Sequence, residues 1–397
     1  MKFSNLSLQL ESSVTLEITA KAKKMRDEGL DVVSFGAGEP DFNTPDNIIE
    51  AAIKAMKKGL TKYTPASGIV QLKEAISKKL YNDNGLQYST SQIIVSTGAK
   101  QCLSNLFQAI INPGDEVIVP SPYWISYPEL IKLYGGKPVF VSVAEKCDFK
   151  YGIEDLERVV TENTKAILVN SPNNPTGAVY GKEELEQIAK FAEKYDLLII
   201  SDEIYEKLIY DNEKHVSIAS LSKDAYHRTI IVNGLSKTYS MTGWRVGYAA
   251  GPEKLIKIMS NIQSHTTSNP TSICQYAALE ALEGPQDKIQ YMIKQFEIRR
   301  NYMVDKINSI NHISCINPQG AFYVMVNISN LLNRKMGDLL IKDSFTLSQL
   351  LLEKQLVAVI PGEAFGVGNY IRLSYATSLE NIEKGLARIE KFICDLT

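Results

Sequence analysis

The chain has 397 residues, of which 44% are hydrophobic and 22% are charged, and its formal net charge is -2 at pH 7. These values predict a folded, water-soluble protein of two or three domains, and the near-neutral charge argues against a nucleic-acid partner. No stretch approaches about 18 uninterrupted apolar residues and the first residues lack an apolar signal core, so neither a membrane span nor secretion is expected.

Cysteines and histidines are scattered along the sequence. The five cysteines, an odd number, never occur at C-x-x-C spacing, which indicates reduced thiols and a cytoplasmic protein. The four histidines are far apart and form no pair with metal-ligand spacing. We therefore interpret the histidines as structural or surface residues and predict no metal site.

The first 40 residues predict one helix and a glycine-containing loop. Residues 14–29 have amphipathic spacing and end at a glycine, a common residue at helix C-termini. Gly36 and Gly38 then mark a loop in which the backbone can closely approach a neighbour or a ligand. The third glycine of a dinucleotide-binding fingerprint is missing and no helix follows at the required place, which argues against a nicotinamide-dependent dehydrogenase.

Two helices, one starting near residue 46 and ending at Gly59 and one ending near Gly85, precede an alternation of strands and helices. Apolar runs without polar alternation predict strands that are covered on both faces, which indicates a mostly parallel sheet between helices. Strands are predicted at 93–96, 116–119, 138–143, 166–169, 197–201, 230–232 and 246–249, and a helix is predicted to start within 120–124.

The last third of the chain has a different, α+β pattern. A helical region from 252 to about 306, with a break near Gly284, is followed by predicted strands at 321–326, 357–360 and 370–373 and helices at 345–354 and 378–393. We predict a large domain of residues 41–284 and a small domain of residues 285–397, with residues 1–40 packing against the small domain.

Polar residues that can carry chemistry follow several predicted strands, where ligands bind to α/β sheets. Asp202 and Lys237 each follow a buried strand, and lysine forms Schiff bases with carbonyl compounds. The turn at residues 98–100 opens a helix, whose first N–H groups suit a phosphate. Each feature alone has an ordinary interpretation as a turn, a helix cap or a surface charge. Their occurrence at successive strand ends favours one shared site.

Seven motifs together carry a family resemblance that covers nearly the whole chain. They are residues 35–42 (FGAGEPDF), 62–64 (KYT), 121–128 (SPYWISYP), 170–178 (NSPNNPTGA), 201–205 (SDEIY), 236–237 (SK) with 241–245 (MTGWR), and 372–376 (RLSYA). With them the chain resembles the fold-type I, pyridoxal-phosphate-dependent aminotransferases of the aspartate aminotransferase family, most closely the prokaryotic I-gamma subgroup. The resemblance implies an α/β large domain with a mostly parallel seven-stranded sheet, a smaller α+β domain, and pyridoxal 5'-phosphate as cofactor.

The same resemblance implies roles for the residues that match the family's motifs. Lys237 would bind the cofactor covalently and move a proton during catalysis, Asp202 would face the pyridine nitrogen, and Tyr205 would act with Asn174 on the ring hydroxyl. The other implied cofactor contacts are Trp124 on the ring face, Ser236, Arg245 and the turn Gly98, Ala99 and Lys100 at the phosphate, and Tyr63 from the second subunit of a homodimer.

Substrate contacts are implied in the same way. Arg372 would bind the α-carboxylate, since its planar fork matches two oxygens. Gly38 would bring its backbone close to the same end of the substrate, and Trp124 and Asn174 would also contact the substrate. Ser13 and Thr15 match N-terminal positions that line the site. Lys100 is associated in this subgroup with a side-chain carboxylate.

The resemblance thus implies transamination of L-aspartate with 2-oxoglutarate by a ping-pong mechanism. An aromatic or neutral amino-acid aminotransferase, or a pyridoxal-phosphate-dependent lyase on the same scaffold, is the alternative, and Lys100 is the residue that favours aspartate. Family members that also accept prephenate tend to carry a lysine where this chain has Glu11, so we do not expect prephenate activity.

Overall fold

A computed structural model describes residues 2–397. Its α-helices are α1 (Asn5–Leu8), α2 (Val14–Asp27), α3 (Asp46–Lys57), α4 (Val70–Asn84), α5 (Ala99–Ile110), α6 (Ser126–Leu133), α7 (Ile153–Glu157), α8 (Lys182–Lys194), α9 (Lys223–Arg228), α10 (Glu253–Thr266), α11 (Ser272–Glu283), α12 (Asp287–Ser309), α13 (Ser344–Gln355) and α14 (Leu379–Cys394). Within the part described, none of these helices has both the length and the apolar character needed to cross a bilayer.

The strands are β1 (Val33–Ser34), β2 (Ile93–Ser96), β3 (Glu116–Ser121), β4 (Lys137–Ser142), β5 (Thr164–Asn170), β6 (Leu198–Asp202), β7 (Thr229–Gly234), β8 (Gly247–Ala250), β9 (Tyr323–Asn327), β10 (Lys335–Met336), β11 (Leu339–Leu340), β12 (Val357–Ala358), β13 (Ile360–Pro361) and β14 (Tyr370–Ser374). Seven of them form one sheet in the order β2-β8-β7-β6-β5-β3-β4. Only β8 runs antiparallel to its neighbours β2 and β7. The predicted mostly parallel, seven-stranded sheet is therefore confirmed.

Helices cover both faces of this sheet, as the continuous apolar runs predict. On one face, α5 and α10 contribute buried side chains such as Leu106 and Met259 to an apolar cluster with the strands. On the other face, α8 contributes Leu185 and Ile188 to a second cluster. Since helices cover both faces of the sheet, polar side chains on these strands are placed at the strand ends, where the candidate site lies.

A smaller antiparallel sheet, in the order β13-β14-β9, lies in the C-terminal part with α12, α13 and α14. The N-terminal segment contacts this part, because β1 pairs in parallel with β12, with Val33 opposite Val357. Arg388 of α14 also donates to the Asp31 carboxylate at 2.7 Å. The two sheets bring β14 and β9 to the ends of β5 and β6, at the cavity described below.

Two predictions about element boundaries were wrong. The helix expected to start within 120–124 begins at Ser126, because residues up to Ser121 remain paired with β4. The helical region expected from 252 to 306 has a second break between Thr266 and Ser272. Periodicity alone did not show this break, since the flanking helices pack on different neighbours, α10 on α5 and α11 on α3.

Candidate active site

A cavity of about 310 Å³ opens at the carboxyl ends of the large sheet. Asn170 ends β5, Asp202 ends β6 and Lys237 follows β7 by three residues, and all three line the cavity. Arg372 of β14 and Tyr323 of β9 close it from the side of the small sheet. The size is that of small-molecule sites, and the position is where parallel α/β sheets bind ligands.

The Lys237 amine lies inside this cavity and is held by one backbone group. Its Nζ donates to the carbonyl oxygen of Gly38 at 2.6 Å. Burial lowers the pKa of Lys237 to about 8, and the charges of Arg245 and Arg372 act in the same direction. A substantial neutral fraction at working pH is what a lysine needs to act as nucleophile or base.

Asp202 presents a buried carboxylate to the same cavity. It is 3% exposed, and one oxygen accepts a hydrogen bond from Tyr127 at 2.7 Å while the other accepts from the Ile204 backbone at 3.2 Å. Burial raises the pKa of Asp202 to about 6, although both hydrogen bonds oppose that rise. A cation placed against this carboxylate would favour its ionised form.

Arg372 is a buried cation without a carboxylate partner within 4 Å in residues 2–397. Its Nη1 donates to Asn174 Oδ1 at 3.0 Å and its Nη2 to the Gly36 carbonyl oxygen at 3.2 Å. Its Nε is buried and has no partner in the described protein, and burial lowers the pKa of the guanidinium from its usual value. Unpaired buried cations are costly, so this geometry indicates an anionic ligand.

A cation and a hydroxyl group lie beside the start of α5. Gly98, with φ 82°, precedes the helix, and a Cβ built there would lie 2.5 Å from Arg245 Nη2. Ser236 is buried beside this end of the cavity. The N–H groups of a first helical turn, a guanidinium and a hydroxyl are together a phosphate-binding arrangement.

Lys100, in the first turn of α5, lies beside the aromatic ring of Trp124. Its Nζ is 5.0 Å from the Trp124 ring centroid, and Trp124 contacts Tyr127 edge to face. Burial lowers the pKa of Lys100, and the charge of Arg245 adds to the effect. Lys100 has no carboxylate within 4 Å in the described chain, so it remains available to a ligand anion.

The structure brings most of the predicted site residues together. Those that line the cavity are Thr15, Gly38, Ala99, Lys100, Trp124, Asn174, Asp202, Tyr205, Ser236, Lys237, Arg245 and Arg372. Gly98 adjoins Arg245, and Ser13 lies in a neighbouring pocket that also contacts Lys100. Tyr63 is 90% exposed and does not line the cavity of this subunit.

Several lining residues were not predicted from the sequence. Tyr323 shares a 3.0 Å hydrogen bond with Tyr205, and its ring lies 4.3 Å from the Arg372 guanidinium. Nothing in its strand sequence distinguishes it from a core tyrosine. Tyr127 and Asn170 belong to motifs that were recognised, and their positions one turn after Trp124 and at a strand end could have indicated their roles.

Comparison with known proteins finds relatives that match nearly the entire chain. The family model for aminotransferases of class I and II matches residues 30–389. The aspartate aminotransferase of Bacillus subtilis is 50% identical over 393 residues, which cover 99% of both chains. A probable aspartate/prephenate aminotransferase from Aquifex aeolicus is 48% identical over 384 residues, which cover 96% of both chains.

Solved structures agree with these sequence matches. The aspartate aminotransferase from Rhizobium meliloti matches with a TM-score of 0.96 at 40% identity and covers both chains completely. The Thermus thermophilus aspartate aminotransferase with maleate matches with a TM-score of 0.93 at 41% identity, over 99% of this chain and 100% of that one. The chain is similar to these proteins in sequence, in fold and in length.

Proposed function

The chain belongs to the class I and II aminotransferase family, and we propose that it is an aspartate aminotransferase with pyridoxal 5'-phosphate as cofactor. It would convert L-aspartate and 2-oxoglutarate to oxaloacetate and L-glutamate. One observation carries the proposal: a single cavity holds the Lys237 amine, the Asp202 carboxylate, and the cations Lys100, Arg245 and Arg372.

The residues around this cavity fit the cofactor at both of its ends. When bound, pyridoxal phosphate supplies an aldehyde that condenses with amines and a ring that accepts electrons from the substrate Cα. The start of α5, Ser236 and Arg245 would hold the phosphate, and Gly98, whose φ is 82°, gives the backbone the turn that precedes the helix beside the Arg245 guanidinium. Asp202 would keep the ring nitrogen protonated, because a buried carboxylate favours a cation against it.

Aromatic and amide groups would orient the ring between these ends. Trp124 would cover one ring face, and Tyr205 and Asn174 would donate hydrogen bonds to the ring hydroxyl. The Tyr205 hydroxyl is already placed by its 3.0 Å hydrogen bond to Tyr323, and Asn174 by its contact with Arg372. Such fixed donors need little reorganisation when the ligand binds.

Lys237 would hold the cofactor and then act as the base that moves the proton at the substrate Cα. Its lowered pKa leaves much of the amine neutral near pH 8, and its Nζ is fixed by the Gly38 carbonyl. This proton transfer requires a neutral amine close to the reacting carbon.

The substrate carboxylates would bind the cations that have no protein anion. Arg372 would take the α-carboxylate in a two-oxygen contact and so fix which Cα bond can break. Lys100 would take the side-chain carboxylate, which favours a dicarboxylic substrate over a neutral or aromatic one. The related Thermus enzyme was solved with maleate, a dicarboxylate, which supports this assignment.

A pocket beside Lys100 argues against prephenate as a further substrate. Its lining includes Glu11 and Glu129, and Glu129 Oε2 accepts a hydrogen bond from the Glu11 backbone at 3.0 Å. Two carboxylates at this position would repel a second dianionic substrate. We therefore propose a narrower range than that of the Aquifex relative.

A homodimer with shared active sites would complete the cavity. Tyr63 is 90% exposed and does not line the cavity of its own subunit. The N-terminal segment also leaves large apolar side chains exposed, namely Phe3, Leu6, Leu8, Leu10 and Leu16. A second copy that covers these surfaces would bring its Tyr63 to this subunit's cofactor phosphate.

Absorbance spectroscopy of the cofactor-loaded protein tests the proposal in two half-reactions. Aspartate alone should convert the cofactor to its aminated form, and 2-oxoglutarate added afterwards should restore the original spectrum. A protein that binds the cofactor but is converted only by neutral or aromatic amino acids would contradict the substrate assignment. A protein that no amino donor converts would contradict transamination altogether.

A further inference from the structure

Directly behind the candidate active site lies a buried group of ionisable side chains that the proposed reaction does not use. In the segment 202–206, Asp202 and Tyr205 line the cavity, whereas Glu203 and Glu206 do not. Glu203 is 1% exposed and Glu206 is 8% exposed. Two carboxylates are thus buried on the back of the segment that carries two site residues.

Glu203 is anchored by three donors. It accepts hydrogen bonds from Ser201 at 2.9 Å and Ser217 at 2.6 Å, and His215 Nε2 lies 3.0 Å from its other oxygen. The Glu203 backbone N–H also donates to the Val232 carbonyl of β7 at 2.8 Å. A carboxylate held this way fixes the position of its neighbour Asp202 relative to β7.

Glu206 connects the same segment to the strand that leads to Lys237. It accepts from Asn233 Nδ2 at 2.9 Å, at the end of β7, and from Asn84 Nδ2 at 3.1 Å. It also forms an ion pair with Lys79 of α4. Burial raises the pKa of Glu206, but the charges of Lys79 and His215 outweigh it and lower the pKa to about 2.

Glu203, Glu206 and His215 bring potential metal ligands within 4.8 Å of one another. Their hydrogen bonds argue for an ion-pair cluster instead. The Lys79 ammonium already forms an ion pair with Glu206, and two serine hydroxyls and the His215 imidazole already contact the Glu203 carboxylate. A divalent cation would have to displace Lys79 and add charge beside it.

The charges around His215 come from several elements. Glu203 and Glu206 face it from the segment after β6, and Lys79 of α4 pairs with Glu206 beside it. Tyr88 and Tyr248 lie near the carboxylates, and burial raises the pKa of both phenols, so they stay neutral. Burial alone lowers the pKa of His215, but the two glutamates reverse this effect and raise it, and Nδ1 has no partner in the described protein.

We propose that His215, in its charged form, is a positioning residue of the active site that neutralises Glu203 directly behind Asp202. With His215 charged, the cluster has two anions and two cations and exerts little net field on the cavity. With His215 neutral, the uncompensated Glu203 charge acts on Asp202, whose pKa it raises, and on the proton sites near Lys237. This inference rests on the proposed function, because it concerns groups that would contact the cofactor.

The test is a pH titration of the cofactor absorbance in the loaded protein without substrate. His215→Gln keeps an N–H donor near Glu203 but removes the positive charge. It should raise the apparent pKa of the cofactor bound at Lys237 by up to about one unit, because one uncompensated anion then remains behind Asp202 in a medium with an effective dielectric constant of about 20. The double variant Glu203→Gln with His215→Gln restores neutrality and should return the value towards wild type.

His227→Gln is the matched control, since it makes the same change at an exposed histidine and should leave the titration unaltered. An unchanged titration in His215→Gln, or a double variant no closer to wild type than the single one, would overturn the proposal. If His215→Gln acted only by disturbing the structure, the second substitution would add to the change in the apparent pKa instead of reversing it. If wild-type protein shows no cofactor spectrum, the proposed function fails, and the next measurement still decides the state of His215.

Nitrogen NMR of wild-type protein labelled at histidine supplies that measurement and needs no variant. His215 is the half-buried histidine, whereas His227, His265 and His312 are exposed, so its protected imidazole signal is identifiable. Because its pKa is raised above the ordinary value of 6.5, we expect the doubly protonated imidazole of His215 to predominate at pH 6.5. A mainly neutral His215 at this pH would overturn the proposal, even if His215→Gln does not fold.

Discussion

Replacing Arg372 with methionine should stabilise the substrate-free protein while removing most of its activity. Arg372 is 2% exposed and has no carboxylate partner, so its buried charge costs several kcal/mol, about 5. Methionine forfeits the charge-assisted hydrogen bonds to Asn174 and Gly36, about 1.5 kcal/mol each, and the contacts with two aromatic rings, about 1 kcal/mol together. The balance is about 1 kcal/mol in favour of the variant.

Activity should change in the opposite direction. A buried, charge-assisted contact with a substrate carboxylate contributes about 2 to 5 kcal/mol, so kcat/KM for aspartate should fall roughly 30- to 5000-fold. Steady-state kinetics measure this loss. The thermal midpoint of the cofactor-free protein should rise by roughly 1 to 2 °C.

Arg300→Met is the matched control. Arg300 is equally buried but donates to both carboxylate oxygens of Asp211, at 2.6 and 2.7 Å. Its removal breaks a satisfied ion pair and should lower the free energy of unfolding by about 2 kcal/mol. The thermal midpoint should therefore fall, with little effect on kcat/KM. If Arg372→Met lowered the midpoint as much as Arg300→Met, Arg372 would not be an unsatisfied cation kept for a ligand.

Three further predictions concern the cofactor and the substrate. Lys100→Ala should reduce kcat/KM for aspartate about 10- to 100-fold more than for alanine, since only aspartate has a side-chain carboxylate, and equal losses would remove Lys100 from substrate selection. Asp202→Asn should leave a folded protein whose turnover falls about a thousandfold or more, because a neutral amide cannot hold the ring nitrogen protonated, and near-normal turnover would contradict that contact. The rate at which cofactor-free protein takes up pyridoxal phosphate covalently should rise with pH through about 8 and then level off, since burial lowers the pKa of Lys237 and only its neutral amine reacts; a rate independent of pH between 7 and 9 would contradict this account.

The fold was largely predictable because its signals are local. Apolar runs such as residues 93–96 and 166–169 are buried on both faces, and the seven-stranded sheet follows from their alternation with helices. The break after Thr266 was not predictable, because α10 and α11 are both good helices and only their packing on different neighbours separates them. Likewise, the reversed direction of β8 depends on its pairing with β2 and β7.

Candidate site residues were predictable where a reactive side chain stands at, or just after, the end of a strand. Asp202 ends one buried strand and Lys237 follows another by three residues, so local pattern and family motif both indicated them. Tyr323 was not predictable, because its strand is more than a hundred residues from Tyr205 and its own sequence is that of a core strand. His215 appeared in the sequence as an isolated histidine without a partner.

Sequence thus determined which residue types and motifs the chain places at the ends of its strands, because hydrophobic periodicity and turn chemistry act over a few residues. Tertiary structure alone decided the electrostatics: that Arg372 is buried without an anion, that Lys237 and Asp202 share one cavity, and that Glu203 meets His215 across twelve positions of the chain. Charges interact through space and respond to burial, and neither distance nor burial is encoded by neighbours in the sequence.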